Sequence, residues 1–173
     1  MSKLIYNQLA NHKLFNKSVK FGLERIKQAL NLLGNPERKL KGVISVIGES
    51  GKFTTLYSLK SFIEANNQTV TKHISPSLRD IKERFYMGDR YLSHKQIKQT
   101  IKQIEKLKIP LTIFECLTLV YIINASKINT DYNIMETGAL WRLDSNNVID
   151  FPQIQICTNI NKQHLNFLKR KNL

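Results

Sequence analysis

The sequence predicts an α/β fold, three αβα layers built on a mostly parallel sheet. Two observations carry this. Short runs rich in Val and Ile alternate with longer segments of helical periodicity. The first such run, Gly42-Val43-Ile44-Ser45-Val46-Ile47, empties directly into Gly48-Glu49-Ser50-Gly51-Lys52-Phe53-Thr54 before a helical pattern resumes. At 173 residues and 42% hydrophobic content, with no internal repeat or Pro/Gly-rich linker, the chain reads as one domain, 1–173, around one core.

Taken in order, Phe21 to Leu33 carries Leu23, Ile26, Leu30 and Leu33 at helical spacing, and Gly34-Asn35-Pro36 stops it. The first strand spans Gly42 to Ile47 and a helix follows from Lys52 to Ala65. Gln68 to Ile74 is a second strand, ending at Ser75-Pro76, and Ser77 to Tyr91 is an irregular polar stretch. Ser93 with Gln96 forms a capping-box pattern, and Ile97, Ile101, Ile104 and Leu107 give the buried stripe of the helix it opens. Leu111 to Ala125 is a largely apolar helix, Tyr132 to Met135 a short strand, Gln153 to Thr158 the last strand, and Asn161 onward begins a final helix.

A buried strand running into a glycine-flanked lysine is one way a chain builds a polyphosphate cradle. Backbone N–H groups of the turn and of the next helix face the anion, and the lysine adds a point charge. The common pattern G-x-x-x-x-G-K-[ST] would place Gly at Val46 and a hydroxyl at Phe53, so an ordinary strand-to-helix turn is the competing reading. What favours a P-loop is its company. In a parallel sheet, ligands gather beyond the carboxyl ends of the strands. Ser75-Pro76, Glu136 and His164 all follow strands there, beside residues 48–54.

An ATP-dependent reaction needs a cation across the phosphates, and oxygen ligands plus an imidazole suit Mg²⁺. Ser75, Glu136 and His164 are the candidate ligands. Each has a plainer reading: a turn residue, a solvated strand-end carboxylate and a surface or capping histidine. Glu115, flanked by Ile113, Phe114, Cys116 and Leu117, lies either on the exposed face of a half-buried helix or at a site.

The net charge of +14 suits a polyanionic partner, but Lys95, Lys98, Lys102 and Lys106 step as the solvated face of one helix. Neither a nucleic-acid-binding motif nor aromatic–basic interleaving accompanies them, so nucleic acid is the weaker alternative. No apolar run reaches the roughly 18 to 20 residues of a membrane span, and the N-terminus lacks a secretory h-region. Cys116 and Cys157 sit far apart in apolar segments and read as buried thiols, which places the chain in the cytoplasm.

Seven ordered blocks resemble one family. Phe21-Gly22-Leu23-Glu24-Arg25-Ile26 resembles its G-L-E-R-I helix, and Leu33-Gly34-Asn35-Pro36 with Lys39-Leu40 its L-G-N-P…K-L connection. Gly48 to Thr54 falls at G-T-N-G-K-G-S/T, Ser75-Pro76-Ser77-Leu78 with Glu83-Arg84 at S-P-H-L…E-R, and Thr112-Ile113-Phe114-Glu115 with Thr118 at T-x-F-E-x-x-T. Met135-Glu136-Thr137-Gly138-Ala139-Leu140-Trp141-Arg142-Leu143-Asp144 resembles V-E-V-G-L-G-G-R-L-D, and Thr158-Asn159-Ile160 with His164 resembles T-N-I…D-H. The chain thus resembles the N-terminal ATP-binding domain of folylpolyglutamate synthase/dihydrofolate synthase, in the Mur ligase superfamily.

That resemblance implies a ligase that phosphorylates the carboxylate of a pteroate or folate with ATP and joins L-glutamate to the acyl phosphate. It implies ATP and Mg²⁺ as cofactors, with Gly48, Glu49, Ser50, Gly51, Lys52, Phe53 and Thr54 around the phosphates. Lys52, Glu136 and His164 would be catalytic; Ser75, Glu136 and His164 would hold the metal; Thr112, Ile113, Phe114 and Glu115 would lie against the pterin. The family's C-terminal, glutamate-ligating domain is absent from these 173 residues, making a separately encoded C-terminal half a candidate partner. Phe53, Leu140 and Trp141 replace family glycines, Gln163 an aspartate and Ser77 a histidine, while Glu49 brings negative charge toward a triphosphate. An inactive remnant that keeps the fold is therefore the alternative to a working ligase.

Overall fold

The computed structural model describes residues 2–11, 15, 22–138 and 141–160. Helix α1 (Ser2–Asn11), which the sequence pattern did not announce, buries Ile5 and Leu9. Helix α2 (Glu24–Leu32) buries Ile26, Ala29 and Leu30. It ends where Gly34 and Asn35 take positive φ, with Asn35 N–H donating to Leu30 O at 2.8 Å and Gly34 N–H to Asn31 O at 3.0 Å. These two bonds satisfy carbonyls the helix leaves open, and Pro36 then starts a 3₁₀ turn.

Strand β1 (Val43–Ile47) leads through residues 48–51 into helix α3 (Lys52–Ala65), and the chain returns as β2 (Val70–His73). A 3₁₀ turn (Ile81–Arg84) precedes β3 (Phe85–Met87), and Ser93 caps helix α4 (His94–Glu105). Helix α5 (Ile113–Ala125), strand β4 (Tyr132–Glu136), a 3₁₀ turn over Trp141–Leu143 and strand β5 (Ile154–Cys157) complete the described elements. The sheet order is β3-β2-β4-β1-β5. All neighbours are parallel except β2 and β3, which pair antiparallel with His73 opposite Phe85.

Strand alternation sorts the core into two layers. Val43 and Met135 face α2, α4 and α5, whereas Ile44, Val46 and Ile134 face Leu56 and Ile63 of α3. The αβα expectation holds. Strand β3 is a correction to the irregular reading of 77–91: three residues are too short to show alternation, and Gly88 at φ 85° turns the chain straight back. The proposed final helix after Asn161 lies outside the described residues. Cys116 is buried as expected, but Cys157 is exposed because it ends edge strand β5. No described helix is long and apolar enough to cross a membrane.

Strand β2 departs most from the apolar run expected of a parallel strand covered on both faces. Val70, Thr71, Lys72 and His73 are all buried. Thr71 Oγ1 contacts Tyr121 Oη at 2.7 Å and donates to Asn133 Oδ1 at 2.6 Å, while Asn133 Nδ2 donates to Lys41 O at 2.6 Å. His73 stacks between Phe85 and Tyr121, and burial pushes its pKa down to about 3, so the ring is neutral. Lys72 points to the opposite face, its ammonium 3.4 Å from the ring centroid of Tyr57 on α3.

The capping box and stripe of α4 separate two energies. Ile97 is fully buried, so Ile97→Ala should cost about 2–5 kcal/mol. Ser93 Oγ accepts only the Gln96 N–H of an exposed first turn, so Ser93→Ala should cost about 1 kcal/mol. Urea denaturation of both variants checks the ordering.

Candidate functional site

Three loops meet beyond the carboxyl ends of β1, β2 and β4. The first, 48–51, is shaped by glycine. Gly48 has φ 123°, and a Cβ there would press into Thr158 Oγ1 and within 2.8 Å of Asn159 O. Gly51, at φ 84°, occupies the N-cap of α3. Thr158 Oγ1 donates to Ser50 O at 2.8 Å, and Asn159 Oδ1 accepts the Ser50 N–H at 2.8 Å and the Glu49 N–H at 3.2 Å. The end of β5 therefore braces the loop from outside.

Helix α3 makes its first intrahelical bond at Thr55 N–H to Gly51 O, 2.9 Å. The amides of its first turn, Lys52 to Thr54, precede that bond, in the position a helix offers to an anion. Lys52 Nζ folds back onto Gly48 O at 2.8 Å and Glu49 O at 3.1 Å. Its ammonium thus sits over the loop, held among the described residues by carbonyls that a phosphate could replace. Phe53, which stands where the family has glycine, packs its ring at a tilt against Tyr57, centroids 4.4 Å apart, and joins the apolar layer under α3.

Glu136, the last residue of β4, is buried, with Oε2 accepting the Ser75 N–H at 3.0 Å. Burial raises its pKa, opposed by that hydrogen bond and by the charges of Lys52, Arg84 and Lys72. Arg84 Nη1 donates to Ser75 Oγ at 3.1 Å, so the hydroxyl and the carboxylate are held side by side. Asp144 closes the third loop: its carboxylate accepts Gly138 N–H at 3.0 Å and Asn146 N–H at 2.9 Å. Burial pushes it up to about 7 despite those donors. Asn146 Nδ2 donates to Glu136 O at 2.6 Å, tying this loop to β4.

Glu136 and Ser75 are hard oxygen donors of the kind Mg²⁺ takes. No group of three His, Cys, Asp or Glu side chains gathers among the described residues. His164 lies outside the described residues, as do Leu140 and Gln163; nothing is described of the Trp141 side chain. Glu115 does not lie on an exposed face. It is buried at the N-terminus of α5, accepting Thr112 N–H at 2.7 Å and pairing with Arg25 Nη2 at 3.0 Å, while Thr112 Oγ1 accepts Glu115 N–H. That capping box was legible as Thr-x-x-Glu. Phe114 projects beside Gly138, where an added Cβ would lie 3.4 Å from its ring. Ile113 is half-buried against the α2–α5 core.

Lys72 was not singled out from the sequence, although a lysine inside a central strand is itself a signal. It is fully buried, and its Nζ makes no hydrogen bond among the described residues. Burial and Lys60 bring its pKa from 10.5 down to about 8, against the pull of Glu136, Glu64 and Glu83. Below pH 8 the group is charged both folded and unfolded, and burying it costs the fold on the order of 3 kcal/mol. Between pH 8 and 10.5 the unfolded chain holds the proton that the folded chain has lost, so stability rises with pH. Lys72→Met should therefore stabilise the chain at pH 7, and its advantage should fade toward pH 10.5. Urea midpoints of wild type and variant across that range test both statements.

No family model matches the chain. It is 30% identical over 166 residues to the Bacillus subtilis dihydrofolate synthase/folylpolyglutamate synthase, covering 91% of this chain and 38% of that protein. The Escherichia coli protein of the same name is 30% identical over 157 residues, 90% of this chain and 37% of that one. Among solved structures, E. coli FolC in complex with DHPP and ADP superposes with TM-score 0.84 at 29% identity, over 96% of this chain and 40% of that one. A bifunctional folylpolyglutamate synthase/dihydrofolate synthase with Mn, AMPPNP and L-glutamate bound gives TM-score 0.72 at 31% identity, over 78% and 34%. The chain spans less than two-fifths of the length of these curated relatives. By sequence and by fold, the chain is similar to the dihydrofolate/folylpolyglutamate synthases over rather more than a third of their length.

Proposed function

We propose that this chain is the ATP-binding part of a folylpolyglutamate/dihydrofolate synthase-type ligase, acting in the cytoplasm on a pteroate or folate carboxylate and L-glutamate. The observation that carries the reading is the buried Glu136 carboxylate, hydrogen-bonded to Ser75 N–H within the field of Lys52. The relatives' complexes with ADP, AMPPNP, Mn and L-glutamate support it.

In this mechanism a carboxylate oxygen of the acceptor attacks the γ-phosphorus of ATP, ADP leaves, and the acyl phosphate forms. The amine of L-glutamate then attacks the acyl carbon, expelling phosphate and leaving an amide. Gly48, Glu49, Ser50, Gly51, Lys52, Phe53 and Thr54 wrap the phosphates through backbone amides. Lys52 exchanges its two carbonyl partners for phosphate oxygens and stabilises charge on the transferring group. Ser75, Glu136 and His164 are the residues that would hold Mg²⁺, which when bound offsets the phosphate charge. Of Thr112, Ile113, Phe114 and Glu115, Phe114 is best placed to lie against a flat pterin, while Thr112 and Glu115 fix the helix start that positions it. The remainder of such an enzyme, continuous with this chain or separately encoded, would close over ATP and seat glutamate.

A second reading is a nucleotide module without ligase activity. It is favoured by Asn159 Oδ1, which already occupies the Glu49 and Ser50 amides. Calorimetric titration with Mg·ATP, and incorporation of labelled glutamate into dihydropteroate or tetrahydrofolate, distinguish the readings. The ligase reading expects both signals, and Lys52→Ala should weaken Mg·ATP binding by about tenfold or more, the loss of a charge-assisted contact. Nucleotide binding without incorporation supports the second reading. No binding at millimolar Mg·ATP overturns both.

A further inference from the structure

Helix α4 carries a row of cations that the proposed site does not use. Lys95 and Lys102 are exposed and Lys98 is half-buried, and none has an ion pair among the described residues. With His94 and Gln99 they line a shallow groove of about 350 Å³. Lys98 and Lys102 also border a second depression, floored by Ile5, Leu9 and Ile101.

The row is connected to the site by a short covalent and hydrogen-bonded path. Ser75, on Glu136, begins the segment that reaches Asp80, and Asp80 Oδ1 holds His94 Nε2 at 3.0 Å at the start of α4. Leu92 N–H donates to Phe85 O, and Phe85 pairs with His73, so α4 starts level with the carboxyl end of β2. A molecule leaving the site over residues 76–80 would meet His94 first and the lysines next.

We propose that this row binds the γ-linked oligoglutamate tail of a folate acceptor; the proposal rests on the ligase reading and deepens it. Each ligation turns one γ-carboxylate into an amide and adds a glutamate bearing two carboxylates, so the tail gains one negative charge per cycle. The reacting γ-carboxylate sits at the phosphate and the pterin at Phe114, so the glutamates between them loop outward and carry their α-carboxylates away from the site as the tail lengthens. A γ-linked repeat contains five backbone bonds instead of three and extends about 6 Å, scaling from the extended α-peptide repeat. Four residues of helix rise about 6 Å as well, which is the axial offset of Lys98 and Lys102. Charge and spacing both fit. Asp80 is engaged with His94, and Glu105 marks the far end of the row with a like charge.

The test uses the full chain and free γ-linked pentaglutamate, α-linked pentaglutamate and a DNA duplex as probes, with Mg·ATP titrated in parallel. The expected result is γ-linked pentaglutamate binding that is tighter than α-linked and salt-dependent. The triple variant Lys95→Gln/Lys98→Gln/Lys102→Gln should weaken it about tenfold, the combined effect of three exposed ion pairs, and leave Mg·ATP affinity unchanged. Equal affinity for the two pentaglutamates, unchanged affinity in the variant, no pentaglutamate binding, or a DNA complex that is tighter and lost in the variant each overturns the proposal. Loss of Mg·ATP binding in the wild type speaks to the ligase reading instead, so the two failures are separate.

Discussion

Everything at the carboxyl edge of the sheet is arranged around one buried carboxylate. An ionised group removed from water is costly unless hydrogen bonds and opposite charges replace the solvent. Glu136 receives one N–H from Ser75 and lies in the combined field of Lys52, Arg84 and Lys72. Meeting that requirement draws in a residue from the end of β2, the lysine that opens α3 and an arginine from the 3₁₀ turn before β3. The loop after β4 is fastened by Asn146 to the Glu136 carbonyl and by Asp144 to Gly138. Folding the core therefore assembles the edge, because each of these residues is the end of an element whose interior is packed.

The same edge explains why the sheet interior is not uniformly apolar. Thr71, His73 and Asn133 form paired polar contacts on the α5 face, and Lys72 relies on the Tyr57 ring on the other. Lys72 is the costly member. Its ammonium supports the Glu136 charge from below while depressing stability itself, a local conflict of the kind that accompanies functional edges. Lys60 and Glu64 of α3 continue the pattern, with Lys60 Nζ 2.6 Å from Glu64 and 4.3 Å from the Tyr86 ring centroid.

Most of the fold was legible because it rests on periodicity and on strong local punctuation. The start of α4 at Ser93, the stop of α2 at Gly34-Asn35 and the full span of α3 follow from capping and positive φ at the residues the sequence marks. What was not legible rests on tertiary contact. Strand β3 exists only because Phe85 to Met87 pair with β2, and α1 is recognisable by Ile5 and Leu9 only once the depression they fill is known. Within the site, the glycine-lysine loop, Ser75 and Glu136 could be grouped from strand ends alone. Asn159 and Thr158 could not be assigned their bracing role, since bonds spanning more than a hundred residues leave no local pattern. Phe53 shows the converse: it replaces a family glycine, and only the structure shows its ring packed against Tyr57.

The central claim is that Glu136 joins a divalent cation to a nucleotide held by residues 48–54. Mn²⁺ binding followed by electron paramagnetic resonance, with and without the non-hydrolysable analogue AMPPNP, tests it most directly. The account predicts that the nucleotide strongly enhances Mn²⁺ binding and that Glu136→Gln abolishes the enhancement while the nucleotide alone still binds. Enhancement of equal size in Glu136→Gln would contradict it.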